Sequence, residues 1–558
     1  MPPRALQITE LVSLICEYSS PCSQANLAQT CTFIAEPALD ALWADQMSIS
    51  DLLVSVLPEN TITFTTHDRY LLMEPFCPEQ GHVAVEPTDA QWDRVASYGA
   101  RMKTVGVSSY LRPWSPHNVH FSRGLIGKWM EYAQRRGIGP ALCPNAKYAE
   151  WNIVEPSKMA HELAFALNAG LLSLTLYISD MTDQLLPVFF SVLPAMTSST
   201  LRRLEMDDKE LEPIALVWDI WLSLMIVQCP ALEYVSLSAA SAESIRALAS
   251  LTALHTLRLR DVINIGECDA NVRSFPVLAT LTVTNTELDQ IIALLRMLEG
   301  HGNLTDVDFM CWPTQNDVAQ QLTLMFGLVA RSCNTASLSS FELRDISQVT
   351  LDGENPLYTI SCQSLRPLLV FRGLQSVIIE LRGHIDLDDD DVEVLAQSWP
   401  LLQHLQLAHT GFLSIHELRW PSDIPRPSPD RIRTTPRCLL SLASHCPHLA
   451  TVCIPFDLSV LPKVTRGRPG GGIVQSVLGV LCVGPMMGFE LESEETTTAL
   501  AIFLSDVFPS LQNIYSAYAL VAPARDKFDK LLKLVCALAI ARQQERAWLV
   551  EHQDRSHT

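Results

Sequence analysis

The stretch "CPALEYVSL" (Cys229–Leu237) decides how this chain is read, because its frame recurs. The frame is an aromatic or Cys, then Pro, any residue, Leu, two more residues, and an apolar-x-apolar pair. It returns as "FPVLATLTV" from Phe275, "WPLLQHLQL" from Trp399 and "CPHLATVCI" from Cys446, with a frayed copy, "FPSLQNIYS", from Phe508. Reduced to L-x-x-L-x-L, the skeleton is also found as "LLSLTL" from Leu171, "LRRLEM" from Leu201, "LHTLRL" from Leu254, "LTDVDF" from Leu304, "LSSFEL" from Leu338 and "LQSVII" from Leu374. First leucines fall mostly about 22 to 36 residues apart, the spacing of a solenoid repeat. The last residues of each skeleton alternate in-out-in, the pattern of a short strand with one buried face.

Between these strands lie segments with apolar residues at three and four spacing: Thr286–Gly300, Asp317–Cys333, Asp391–Pro400 and Thr497–Pro509. Each reads as an amphipathic helix ending near the recurrent Pro. The aromatic or Cys is then the last buried side chain of the helix. The Pro cannot continue the helix, and the chain turns into the next strand. One helix plus one strand repeats, each unit burying its apolar face on its neighbours.

With 558 residues, the chain is too long for one ordinary core and calls for several domains or an elongated array. Its 48% hydrophobic and 18% charged residues are those of a folded chain. A formal charge of −21 argues against a general nucleic-acid binder and favours a partner with a basic surface. The 15 cysteines are scattered, without C-x-x-C, which fits reduced thiols and a cytoplasmic or nuclear location. "MPPRALQITELVSL" lacks the apolar run and cleavage site of a secretory signal. "IVQSVLGVLCVGPMMGF" (Ile473–Phe489) carries three glycines, a Gln and a Pro, and reads as a buried strand and turn rather than a membrane span. "NLT" at Asn303 matches a glycosylation acceptor that such a chain leaves unused.

Before the repeats, "ALQITELVSLICEYSSPCSQANLAQTCTFIAEPALDALWADQ" packs two or three short amphipathic helices. Ile8 and Glu10 bracket its opening; Leu11, Leu14 and Ile15 form a helix face; Leu27 and Cys31 hold the centre; Ala38, Leu39, Leu42 and Trp43 close it. This stretch resembles an F-box. Thr9 stands where that family usually has Pro, and Thr is able to cap the following helix. The rest resembles the leucine-rich repeats in their irregular form, as carried by fungal F-box-like proteins. "DAQWDRVASYGARMKTVGV" (Asp89–Val107), a helix leading into a strand, looks like the first repeat.

The resulting expectation is an α/β chain: an N-terminal helical F-box followed by a leucine-rich-repeat solenoid, one strand and one helix per repeat, with a curved parallel sheet. Boundaries fall at 1–57 for the box, 58–170 for a connecting region and first irregular repeats, and 171–520 for the solenoid, with loop insertions near 415–437 and 457–472. Residues 521–558 form a capping helix and polar tail. The resemblance implies a non-catalytic substrate receptor of a Skp–cullin–F-box ubiquitin ligase, binding adaptor through the box and a target protein on the solenoid. It places adaptor contacts on Leu6, Ile8, Leu11, Ile15, Leu39, Leu42 and Trp43. Outward strand positions nominate Glu205, Ser236, Arg258, Thr282, Asp308, Glu342, Ile378 and Gln406 for the target. The alternative is a repeat scaffold or inhibitor whose box only caps the solenoid.

Other chemistry is weakly signalled. "DLDDDD" (Asp386–Asp391) lacks the Gly and terminal Glu of a calcium loop and reads as a helix N-terminus. "TRGRPGGG" (Thr465–Gly472) has no G-K-[ST] and reads as an inserted flexible loop. "RWPSDIPRPSPDRIRTTPR" (Arg419–Arg437) reads as a basic, Pro-rich linker. "SHCPHL" (Ser444–Leu449) has catalytic residue types, but the sister copies of the frame lack them. No catalytic constellation, metal site, cofactor or nucleic-acid or membrane partner is expected.

Overall fold

The structure, a computed structural model, describes residues 8–44, 49–59, 61–65, 79–106, 119–121, 123–153, 170–178, 199–208, 215–266, 275–300, 302–312, 317–346, 358–409, 432–457, 460, 469–483, 494–516 and 522–556. Two compact units divide the chain, Met1–Leu257 and Arg258–Thr558.

The recurrent frame turns out to be a β-turn with Pro at its second position. In all five copies the amide of the Leu donates to the carbonyl of the frame's first residue: Leu232 to Cys229 (3.2 Å), Leu278 to Phe275 (3.4 Å), Leu402 to Trp399 (3.1 Å), Leu449 to Cys446 (3.2 Å) and Leu511 to Phe508 (3.2 Å). Proline presets the backbone angle this turn position needs and gives up an amide that the turn does not use. The leading aromatic or Cys is at most 1% exposed in every copy, and each leading Leu is at most 3% exposed. A copy without Pro, Phe371–Leu374, closes the same bond at 3.4 Å. There Gly373 faces the carbonyl of Ala336, which leaves little room for a Cβ.

In the first unit the parallel order is β8 (Tyr234–Ser241), β7 (Arg203–Asp208), β6 (Ser173–Ile178), β5 (Tyr148–Ile153), β3 (Thr104–Gly106). A separate three-stranded sheet joins β1 (Ile62–Thr65), β2 (Glu79–Val83) and β4 (Val119–Phe121). The strand β9 (Thr256–Ile263) spans the division between the units. The second unit runs β10 (Thr280–Glu287), β11 (Asp306–Trp312), β12 (Ser340–Asp345), β14 (Ser376–Leu381), β16 (His404–His409), β17 (Thr451–Ile454), β18 (Val480–Val483), β19 (Asn513–Ser516), all parallel. The short pair β13 (Thr359–Ser361) and β15 (His384–Asp386) stands apart from that series. Among the described residues each unit carries strands in parallel series with intervening helices, an α/β solenoid of the leucine-rich-repeat type, as the frame predicts.

Helices fill the space between turns: α1 (Thr9–Glu17), α2 (Pro21–Ala28), α3 (Thr32–Ala44), α4 (Ile49–Val56), α5 (Asp89–Gly99), α6 (Arg123–Arg136), α7 (Ala215–Gln228), α8 (Ala242–Ala249), α9 (Leu288–Met297), α10 (Val318–Ser332), α11 (Cys362–Leu365), α12 (Asp389–Ser398), α13 (Cys438–His445), α14 (Glu494–Val507) and α15 (Ala522–Ser556). The strand face turned toward them is apolar; Phe341 of β12 meets Phe326 of α10 edge to face, ring centroids 5.9 Å apart. Each fully buried Leu or Phe on that face contributes about 1.5–3 kcal/mol. The long last helix packs on α14 and on β19, the thiol of Cys536 lying 3.7 Å from the carbonyl oxygen of Leu511. Among the described residues no helix is long and apolar enough to cross a membrane.

Several local expectations shift. Thr286 and Glu287 close β10 rather than open a helix. Thr286 is buried there because its hydroxyl accepts from the amide of Val262 at 3.1 Å and satisfies a backbone donor the bulge would orphan. Thr9 does not cap α1; Ile8 holds the cap position without a side-chain bond, and Thr9 is the first helical residue, where Pro would also fit. Residues 469–472 form a turn docked on α14: the amide of Gly470 donates to the buried Asp506 at 3.2 Å, and a Cβ there would meet Val507. Of Ile473–Phe489, the strand is β18; the part beyond Val483 lies outside the described residues, as do residues 419–431 of the Pro-rich stretch.

The acidic run Asp386–Asp391 is a helix N-terminus. Asp388 accepts from the amide of Asp391 at 2.9 Å while Asp391 accepts from that of Asp388 at 3.1 Å, and Asp389 accepts from the amide and hydroxyl of Thr435. Replacing Asp388 with Ala should therefore cost about 1 kcal/mol of stability, whereas exposed Asp390→Ala should stay within about 0.5 kcal/mol. Urea denaturation followed by circular dichroism separates the two.

Candidate functional site

Helices α1 to α3 form a small bundle with its own core of Val12, Cys16 and Ala38, packed by Leu27, Ala28, Ile34 and Ala41. Gln24, also buried, donates to the carbonyl of Cys16 at 2.8 Å. Both core positions on α1 lie on one side of the helix. On the other side Ile8 (47% exposed), Leu11 (41%), Leu14 (47%) and Ile15 (47%) stand in solvent, and Tyr18 extends the stripe. Three of the nominated adaptor residues, Ile8, Leu11 and Ile15, thus share one open apolar face. Leu39 and Leu42 are half-buried, and Leu6 lies outside the described residues. Trp43 is half-buried as well, its ring 5.0 Å from that of Tyr98 on α5.

The bundle is fastened to the first repeat at several points. Arg101, just after α5, reaches Glu36 at 2.5 Å and Asp40, both on α3. The amide of Lys103 donates to the carbonyl of Ala44 at 2.9 Å. Burial of the guanidinium's stem makes this pair of ion pairs worth more than an exposed one.

On the sheets, the outward positions nominated from sequence fall into register. In the first unit Glu150, Thr175, Glu205 and Ser236 are directly paired across β5 to β8. In the second unit the row is Thr282, Asp308, Glu342, Ile378, Gln406, Cys453, Cys482 and Tyr515. Arg258, on β9, is exposed. The other nominated residues are half-buried, between a core position on either side. Sequence reading missed Glu150, whose strand "YAEWNI" lacks the leucine skeleton but keeps its alternation, and Thr175, the equivalent residue of the Leu171 copy. It also missed that the row ends apolar: Ala408, Cys453 and Cys482 cluster with Tyr515 and are at most 2% exposed.

Ionic chemistry concentrates on both rows. Glu205 pairs with Arg203, whose guanidinium lies 3.9 Å from the centroid of the Tyr234 ring, and accepts from the hydroxyl of Thr175 at 3.3 Å. Burial and the charge of Glu205 raise the carboxyl of Glu150, against a bond from Tyr177 that lowers it. In the second unit Arg344 bridges Glu342 at 2.6 Å and Glu380 at 3.3 Å, and Gln406 donates to Glu380.

The remaining signals are structural. Cys446 is buried with its thiol against the carbonyls of Ala396 and Trp399, and the hydroxyl of Ser444 bonds back to Leu440, so "SHCPHL" holds no nucleophile pair. The amide group of Asn303 donates to Pro276 at 2.6 Å. Among the described residues no group of three or more His, Cys, Asp or Glu is placed to hold a metal ion.

No family model matches this sequence, and no curated protein matches it. Among solved structures, an internalin from Listeria monocytogenes is similar at 12% identity, over 68% of this chain and 79% of that one, with a TM-score of 0.25. So loose a superposition says nothing about what this chain binds. The repeat architecture rests on its own turns and registers.

Neighbouring residues on α1 give a direct test of which side is open. Leu11→Asp should leave the bundle folded, with stability changed by no more than about 0.5 kcal/mol. Val12→Asp puts an unpaired charge into the core and should unfold it. Amide hydrogen exchange over residues 9–44 distinguishes retained from lost protection.

Proposed function

We propose that this chain is the substrate-recognition subunit of a Skp–cullin–F-box type ubiquitin ligase, acting in the cytosol or nucleus, with no bond chemistry of its own. The observation that carries the reading is the solvent-facing apolar stripe of α1, Ile8, Leu11, Leu14 and Ile15, on a bundle that has already satisfied its own core. A helix that keeps four large apolar side chains in water on one side is suited to a groove on a partner. The adaptor is the partner that the F-box resemblance supplies, and the cullin follows through it.

The second half of the reading is the solenoid as a protein-binding wall. Its outward rows offer mixed charge and hydrogen-bonding groups on rigid strands, while the opposite strand face is consumed by the core. The Arg101 and Trp43 contacts fix the bundle to the first repeat, and a receptor needs that rigidity. Ubiquitin transfer is accelerated by holding a target lysine near the charged conjugating enzyme, and effective concentration falls when the link between the two sites is loose.

The competing scaffold reading, in which the bundle merely caps the solenoid, draws on the Trp43–Tyr98 contact. The two separate in a pull-down with purified Skp-type adaptor and cullin. The ligase reading expects stoichiometric capture of the wild-type chain and its loss, by a factor of ten or more, in Leu11→Asp/Ile15→Asp. Absence of capture by a well-folded wild type would establish the scaffold instead.

A further inference from the structure

We draw no further inference here: the strongest candidate, the exposed apolar face of α7 formed by Ile220, Leu224 and Val227, carries no proposal because nothing in the structure shows what covers it.

Discussion

Successive repeats are locked together by one carbonyl that accepts two amides. Gln403 takes the N–H groups of both Ala450 (2.7 Å) and Thr451 (3.0 Å), Gln375 those of Gln403 and His404, and Ser339 those of Gln375 and Ser376. Lys103, Lys147, Leu172, Arg202 and Glu233 do the same in the first unit. The accepting residue lies just before its strand, at the exit of a turn led by Leu in most copies and by Met102 or Ala146 before Lys103 and Lys147. The turn therefore fixes where the next strand starts, and the shared carbonyl fixes its register. Because side chains alternate along a strand, a slip by one residue would turn every core leucine to water. At six strands a proline turn or the Gly-assisted turn thus sets which residues face outward.

This arrangement divides labour between the two ends of a repeat. Turns and inward strand positions are closed to variation by packing, as Trp399 illustrates: its ring is fully buried and its indole N–H donates to Leu368 at 3.2 Å. Outward positions are less constrained until the row reaches the buried Cys453 and Cys482, and there the chain places Glu205, Asp308, Glu342 and Gln406. The N-terminal bundle follows the same logic on a smaller scale. Val12 and Cys16 hold α1 down, which leaves Leu11 and Ile15 in solvent. Its last aromatic, Trp43, belongs to the joint with the repeats rather than to the open face.

Much of this was legible in the residues. The frame named the turn, because Pro and a buried aromatic or Cys have few other ways to recur at that spacing. Alternation named the outward row, because a strand has only two faces. Capping carboxylates identified the start of α12. Less legible were features that depend on neighbours distant in sequence. Thr286 sits in a strand bulge that only the adjacent Val262 explains. Gly470 looks like part of a flexible loop until the buried Asp506 fixes it. Nothing in "LATVCI" announces that Cys453 will be covered, since its burial arises from the apolar company of Ala408 and Cys482. Leu11 and Val12 are both apolar residues of one short helix, and only the position of α3 assigns them opposite roles.

The helix α15 has a further consequence at the C-terminal edge. Among the described residues strand β19 is paired with β18 on one side only, and the terminal strand of a parallel stack presents a row of unpaired backbone groups as a template for another chain. The 35-residue helix packs against that strand. A helix packed on the last strand leaves less room for a further strand to add there. Its loss would show first as self-association of otherwise intact repeats, because each strand behind β19 keeps its register from the neighbour before it.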